Sequence, residues 1–224
     1  MDSTLANEKL KAFMLRVVSP LSYRAFIDRL GPGASVLDIG CGNNSPYKVK
    51  SQRPDIYYVG LDIIDYNQTA PLLADEYHLV EASEFAASIR GIGRKFDAVI
   101  SSHNIEHCAE PGAVIDAIGA VLEPGASLYM SFPSEASAGF PSRTGCLNFY
   151  DDPTHRELPR FSDIVSKLRD MGCQIVASDP RYRPPLLRTI GMVQEPFSRL
   201  SGRTLFGTWS LYGFESVIWA RKSS

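Results

Sequence analysis

Val36–Asn44, reading Val-Leu-Asp-Ile-Gly-Cys-Gly-Asn-Asn, is the stretch on which the reading of this chain turns. A short apolar strand carrying one acid, Asp38, runs straight into a loop with glycine at alternate positions, Gly40 and Gly42. Glycine reaches backbone angles closed to other residues, and its missing side chain lets a ligand lie against the main chain. A helix that follows such a loop presents unpaired N–H groups to a polar group. Asn44 takes the place of a third glycine, and asparagine tolerates positive φ better than most residues.

Outward from the loop, Tyr57–Leu61 is an apolar run of the kind found in buried parallel strands, and it ends at Asp62. An acid about 20 residues beyond a glycine loop is placed to accept hydrogen bonds from ribose hydroxyls. A dinucleotide-binding fingerprint needs another glycine three positions after Gly42, and that position holds Ser45, followed by Pro46. The pattern instead resembles motif I of class I S-adenosylmethionine-dependent methyltransferases, Asp/Glu-x-Gly-x-Gly-x-Gly, with Asp38, Gly40 and Gly42 matching. The resemblance implies S-adenosylmethionine as cofactor, with Asp38, Gly40, Cys41 and Gly42 around its amino-acid tail and Asp62 and Ile63 at its adenosine.

Later segments extend the resemblance. A third strand over Tyr77–Val80 leads into Glu81-Ala82-Ser83, where the family often has Asp-Ala and meets the adenine. Phe96–His107 is similar to the family's fourth strand and exit loop, which places Ser101 to Asn104 at the carboxyl end of a strand, where open sheets bind ligands, with Ser101 and Ser102 expected at the cofactor. His107 reads as a packing residue of the next helix. The Asp/Asn-Pro-Pro-Tyr/Phe signature of nucleobase amino methylation is absent. A helical pattern over Pro111–Leu122, a Glu123–Ala126 turn and a strand over Ser127–Phe132 repeat the unit again. Alternating strands and helices argue for an α/β fold with a parallel sheet. The family resemblance implies a Rossmann-like, doubly wound, seven-stranded, mostly parallel sheet with an antiparallel last strand, N-terminal helices and a C-terminal insertion.

At 224 residues the chain is read as one domain: a helical segment 1–31, a cofactor-binding core 34–133, and an acceptor side with C-terminal hairpin over 134–224. In the first segment Leu10, Phe13, Met14 and Val17 form one apolar stripe and Tyr23, Phe26, Ile27 and Leu30 another, separated at Pro20. A net charge of −2 implies no bulk attraction to nucleic acid or membrane, and neither a basic stripe with aromatics nor a run long enough to span a bilayer occurs. Cys41, Cys108, Cys146 and Cys173 are scattered, as reduced thiols of a cytoplasmic protein would be, and their spacing points to no metal site. Charge divides unevenly: residues 1–139 hold 11 Lys/Arg against 17 Asp/Glu, and the remainder 12 against 8. The basic C-terminal part favours an anionic small-molecule acceptor, such as a phosphate-bearing or nucleotide-linked one; a homodimer is one assembly open to such a chain.

Ser134–Glu157 follows the fifth strand and turns rich in polar and aromatic groups. Its Asp152–Arg156 run is similar to a subset of these enzymes associated with glycans and other polar small molecules. Ser162 is expected to cap a helix over 163–171 that stops at Gly172. After a strand over Gln174–Ala177, an insertion over 179–213 holds two short helices, Leu186–Met192 and Phe197–Leu200, and arginines 181, 183, 188, 199 and 203 suited to an acidic acceptor. Glu215–Arg221 reads as the last strand. A sulfonium methyl group needs only an oriented nucleophile, and a hydroxyl nucleophile must lose its proton. His103 and His155 are the expected bases, with Asp151 as partner, for O-methylation of a sugar or glycan precursor. A cofactor-binding but inactive partner subunit and a nicotinamide-dependent oxidoreductase are the alternatives.

Overall fold

The computed structural model describes residues 18–65, 68 and 70–224, so the first expected apolar stripe, Leu10–Val17, lies outside them. Helix α1 (Tyr23–Asp28) starts where Ser22 Oγ accepts the Ala25 amide, and it buries Phe26 and Ile27. Then follow β1 (Ser35–Ile39), α2 (Ser45–Gln52), β2 (Tyr57–Asp62), β3 (Glu76–Leu79), α3 (Phe85–Gly91), β4 (Phe96–Ser102) and α4 (Pro111–Val121). The chain continues through β5 (Leu122–Pro133), α5 (Phe161–Asp170), β6 (Cys173–Asp179), α6 (Pro185–Ser201), α7 (Thr208–Tyr212) and β7 (Glu215–Lys222).

The strands form one sheet in the order β3-β2-β1-β4-β5-β7-β6. β1 to β5 pair in parallel, and β7 runs antiparallel to both β5 and β6. This is the α/β, Rossmann-like, mostly parallel arrangement implied by the motifs. The order reverses between β1 and β4, and open sheets of this kind bind ligands at the carboxyl ends of the strands beside that reversal. Ile39 is level with Leu61 on one side and Ser101 on the other. The glycine loop, Asp62 and the β4 exit loop therefore leave the sheet side by side.

Both faces of the sheet are covered, which explains the nearly unbroken apolar runs of the central strands. Leu37, Val59, Val99 and Leu128 pack with Ile89 of α3, Ile118 of α4 and Leu168 of α5. On the other face Val36, Tyr58, Ile100 and Tyr129 pack with Phe26 and Ile27 of α1 and Val49 of α2.

Three local expectations change. β5 begins at Leu122, directly after α4, and the Pro124-Gly125 pair forms an irregularity within the strand: the pairing with β4 jumps from Leu122 to Ser127. Helix α5 starts at Phe161 with Arg160 at its cap position, and the Ser162 hydroxyl donates to Asp163, so Ser162 is inside the first turn and caps nothing. The two short helices of the insertion are one, α6, continuous through Pro196. A proline inside a helix forfeits one hydrogen bond, and tertiary anchors offset it here. Arg143 grips Glu195, and the α6 backbone at Gly191 lies so close to Gly207 that a β-carbon on Gly191 would stand 2.2 Å from the Gly207 carbonyl oxygen.

Candidate active site

The glycine loop has the backbone its sequence implies. Gly40, Gly42 and Asn44 all have positive φ, at +67°, +49° and +59°. The Gly40 and Cys41 amides donate to the Leu61 carbonyl at 2.8 and 3.3 Å. Gly42 N–H donates to Asp62 Oδ2 and Ile63 N–H to Oδ1, each at 2.7 Å. Each Asp62 oxygen thus has one amide and retains a lone pair for a further donor. Cys41 is buried over Gly60, where a β-carbon would stand 3.0 Å from its sulfur. Burial, with the charges of Asp38 and Asp62 adding, pushes its thiol well above the ordinary range, so it stays protonated and unreactive.

Asp38 is buried and accepts the Tyr58 hydroxyl at 2.7 Å. Burial raises its carboxyl to about 7; the Tyr58 hydroxyl opposes the rise and the neighbouring Asp62 charge adds to it. Beside the loop, the Asn104 side chain stands where a β-carbon on Gly40 would go, 2.5 Å from its Oδ1. Ser101 Oγ and Asn104 Nδ2 are buried with no hydrogen-bond partner among the described residues, while Ser102 Oγ meets Ser131 Oγ at 3.0 Å. Glu81, Ala82 and Ser83 form an exposed turn after β3, and Ile63 is exposed just past Asp62.

Two of the three expected catalytic groups, His103 and Asp151, are tied into hydrogen bonds within the protein. His103 also has positive φ, +49°, held by a bond from its amide to the Ser131 carbonyl. Its Nδ1 lies 3.1 Å from Glu106 Oε1 and its Nε2 3.2 Å from Glu215 Oε1. Burial disfavours a charged ring, but the two carboxylates outweigh it and push His103 up to about 10. At neutral pH both ring nitrogens donate, and no lone pair is left to take a proton. Asp151 is likewise committed: its carboxylate accepts the Ser142 hydroxyl and the amides of Arg143, Leu147 and Asn148. Burial alone would raise it, yet these donors hold it below the usual carboxylate range. It ties the loop together and does not partner His155, whose Nδ1 donates to the Phe149 carbonyl at 2.6 Å.

His155 sits instead with His107, their ring centroids 4.8 Å apart. His107 belongs to a 3-10 turn, Ile105–His107, and not to the next helix. The Arg156 amide donates to the Glu106 carbonyl at 2.8 Å and draws the two loops together. Asn104 lies at the strand exit, as its sequence position implies, and Glu106, His107 and Glu215, to which the sequence reading gave no role in the site, gather beside it, although Glu106-His107 closes the family-like fourth-strand pattern. Two arginines of the insertion serve its own backbone: Arg181 donates to the Tyr212 carbonyl and Arg183 to that of Leu211.

A family model described as a methyltransferase domain matches residues 7–178. The chain belongs to this family. Its motifs and fold together place it in the S-adenosylmethionine-dependent class of methyltransferases, not among nicotinamide enzymes. The chain is 27% identical over 124 residues to the ubiquinone biosynthesis O-methyltransferase of Pseudomonas paraeruginosa, covering 52% of either protein. It is 26% identical over 206 residues to the protein of that name from Xanthomonas axonopodis pv. citri, covering 85% of this chain and 80% of that one. The chain thus spans about half the length of the Pseudomonas relative. A solved S-adenosylmethionine-dependent methyltransferase from Archaeoglobus fulgidus, 20% identical, shares the methyltransferase fold with a TM-score of 0.54 over 96% of this chain and 94% of that one. Among the described residues no helix is long and apolar enough to cross a membrane.

Proposed function

We propose that this methyltransferase-domain protein transfers the methyl group of S-adenosylmethionine to a hydroxyl oxygen of a small polar acceptor. The observation that carries the reading is the joining of the glycine loop to Asp62 through the Gly42 amide. That bond brings the glycine-loop main chain and the Asp62 carboxylate together at the carboxyl end of the sheet, which supports a shared role for them at the cofactor. In this reading Gly40, Cys41 and Gly42 lie along the methionine tail, and Asp38 faces its amino group. Asp62 takes the ribose hydroxyls, Ile63 covers the adenine, and Glu81, Ala82 and Ser83 meet its edge. Ser101 and Ser102 line the floor, where the unpaired Ser101 hydroxyl and Asn104 amide are the buried polar atoms that a bound polar ligand would satisfy.

Methyl transfer proceeds by in-line attack of the acceptor oxygen on the methyl carbon. The sulfonium is already a good leaving group, so the protein supplies alignment and exclusion of water. The acceptor proton must still be handled. His103 is held between two carboxylates, and the adjacent His107 and His155 are the remaining imidazoles at the acceptor side, placed to take that proton or to bind what lowers the acceptor's pKa. A phosphate- or nucleotide-linked sugar or glycan precursor suits the basic C-terminal part of the chain through its anionic group. Similarity to ubiquinone biosynthesis O-methyltransferases favours a second acceptor, one belonging to ubiquinone biosynthesis.

Calorimetry with S-adenosylhomocysteine and NAD tests the cofactor half of the proposal. Tight binding of the former and none of the latter is expected, and the reverse order would sink it. Transfer of labelled methyl from S-adenosylmethionine to a panel of sugar nucleotides and hydroxylated aromatic acceptors tests the other half. Cofactor binding with no product on any of them would favour a non-catalytic partner subunit.

A further inference from the structure

The geometry points to a divalent transition-metal site, which we propose is built from Glu106, His107 and His155. A carboxylate oxygen and one ring nitrogen of each histidine lie within 4.8 Å of one another. Two imidazoles and a carboxylate suit a zinc-like ion, and three protein ligands leave a coordination position open for a further oxygen. Ligand bonds of about 2.1 Å require the three donor atoms to close in by about 1 Å, which small side-chain rotations provide.

The hydrogen bonds around the cluster prepare each donor. His155 Nδ1 faces the Phe149 carbonyl, which only accepts, so the proton of the neutral ring is on Nδ1 and the lone pair on Nε2. Thr154 gives its one hydroxyl proton to Asp152 Oδ1 at 2.6 Å and so accepts from His107 Nδ1 at 2.9 Å. His107 therefore also carries its lone pair on Nε2, and no other described residue bonds either Nε2. Glu106 is fully buried; its Oε1 engages His103, while Oε2 has no hydrogen-bond partner among the described residues. A buried carboxylate oxygen left unpaired is costly and calls for a ligand. Carbonyls, hydroxyls and carboxylates behind metal-binding histidines are the usual second layer that orients them and raises their basicity.

The role of the ion, though not its binding, rests on the methyltransferase reading. An acceptor hydroxyl coordinated at the open position has its pKa lowered and releases its proton to solvent. The oxygen then forms the C–O bond as the C–S bond breaks, the bonding pair staying on sulfur. The products are the methyl ether, S-adenosylhomocysteine and one proton.

The test uses the full chain, stripped with a chelator and titrated with Co²⁺ and Zn²⁺. One equivalent should bind, with a Co²⁺ ligand-field spectrum, and anomalous diffraction should place the ion between His107 and His155. His107→Gln and His155→Gln should each weaken binding by about 10- to 100-fold, and Thr154→Val, which touches only the outer layer, by about tenfold. Circular dichroism identifies any variant that has lost its fold, and Thr154→Val keeps the test decisive in that case. No saturable binding, an ion located elsewhere, or unchanged affinity in folded variants would overturn the site. Calorimetry with S-adenosylhomocysteine on the same samples reports the cofactor reading separately.

Discussion

The Asn104 side chain fills the space in which Gly40 would carry a β-carbon; an added methyl there would stand 2.5 Å from Asn104 Oδ1. The two residues come from the exits of neighbouring strands, β1 and β4, and each fixes what the other can be. Gly40→Ala meets both this clash and a φ of +67°, a backbone conformation that costs a non-glycine residue about 1–2 kcal/mol. We expect a loss of stability of that order or more in urea titration, and at least about a tenfold loss of S-adenosylhomocysteine affinity. Gly40→Ala with Asn104→Ala should recover the steric share and keep the backbone share. Wild-type affinity in the single variant would remove the loop from the cofactor site.

Asp38 gives the ligand-free protein a distinct pH dependence. Its folded carboxyl titrates at about 7, against 3.8 for the unfolded chain, because it is buried. A raised acid favours the protonated fold, so its stabilising contribution is full below the unfolded value, falls as pH rises toward the folded one, and is level beyond. Three units at about 1.4 kcal/mol each put the loss on the order of 4 kcal/mol. Asp38→Asn should therefore gain stability relative to wild type as pH rises from about 4 to about 7, measured by urea unfolding. Parallel profiles for the two proteins would contradict the assignment.

His103 links Glu106, three positions along, to Glu215, 112 positions away in sequence. Its removal leaves two carboxylates facing each other without a shared donor, a loss of up to about 3 kcal/mol. His103→Gln should lower the melting temperature, and His103→Gln with Glu215→Gln should recover part of that drop. A group that acts only as a base would leave stability untouched, so an unchanged melting curve argues against the bridge.

Arg143 holds the insertion to the acceptor loop. Nearly all of it is buried, and it forms a bidentate pair with Glu195 at 2.6 and 2.8 Å and donates to Ser198 Oγ. Breaking a pair this enclosed costs about 3–5 kcal/mol. For Arg143→Met, hydrogen exchange should accelerate across α6 and α7 while β1, β2 and β4 stay protected, and S-adenosylhomocysteine affinity should hold. Uniform acceleration through the sheet would instead make Arg143 part of the global core.

The central fold was legible because its signals are local. The apolar run into Gly40 and Gly42, Asp62 at the end of the next strand, and the repeated strand–helix alternation are patterns within a few residues, set by backbone sterics and side-chain period. Asn44 at +59° is an example: its tolerance of positive φ follows from its own chemistry. Ser162 and Pro196 show where local rules stop. A capping-type residue two positions inside a helix and a proline spanned by an unbroken helix both depend on what packs against them.

From the order of its residues alone, this chain determined a parallel α/β core with a glycine loop and an acid at the end of the next strand, since those features need only neighbours in sequence. Tertiary structure alone decided the state of its histidines. His103 faces two carboxylates because Glu215 arrives from β7, and Thr154 and Phe149 meet Nδ1 of His107 and His155, which fixes the tautomer of each neutral ring. A histidine's protonation is set by whatever lies within hydrogen-bond reach, and in this fold that is delivered by strands and loops far away along the chain.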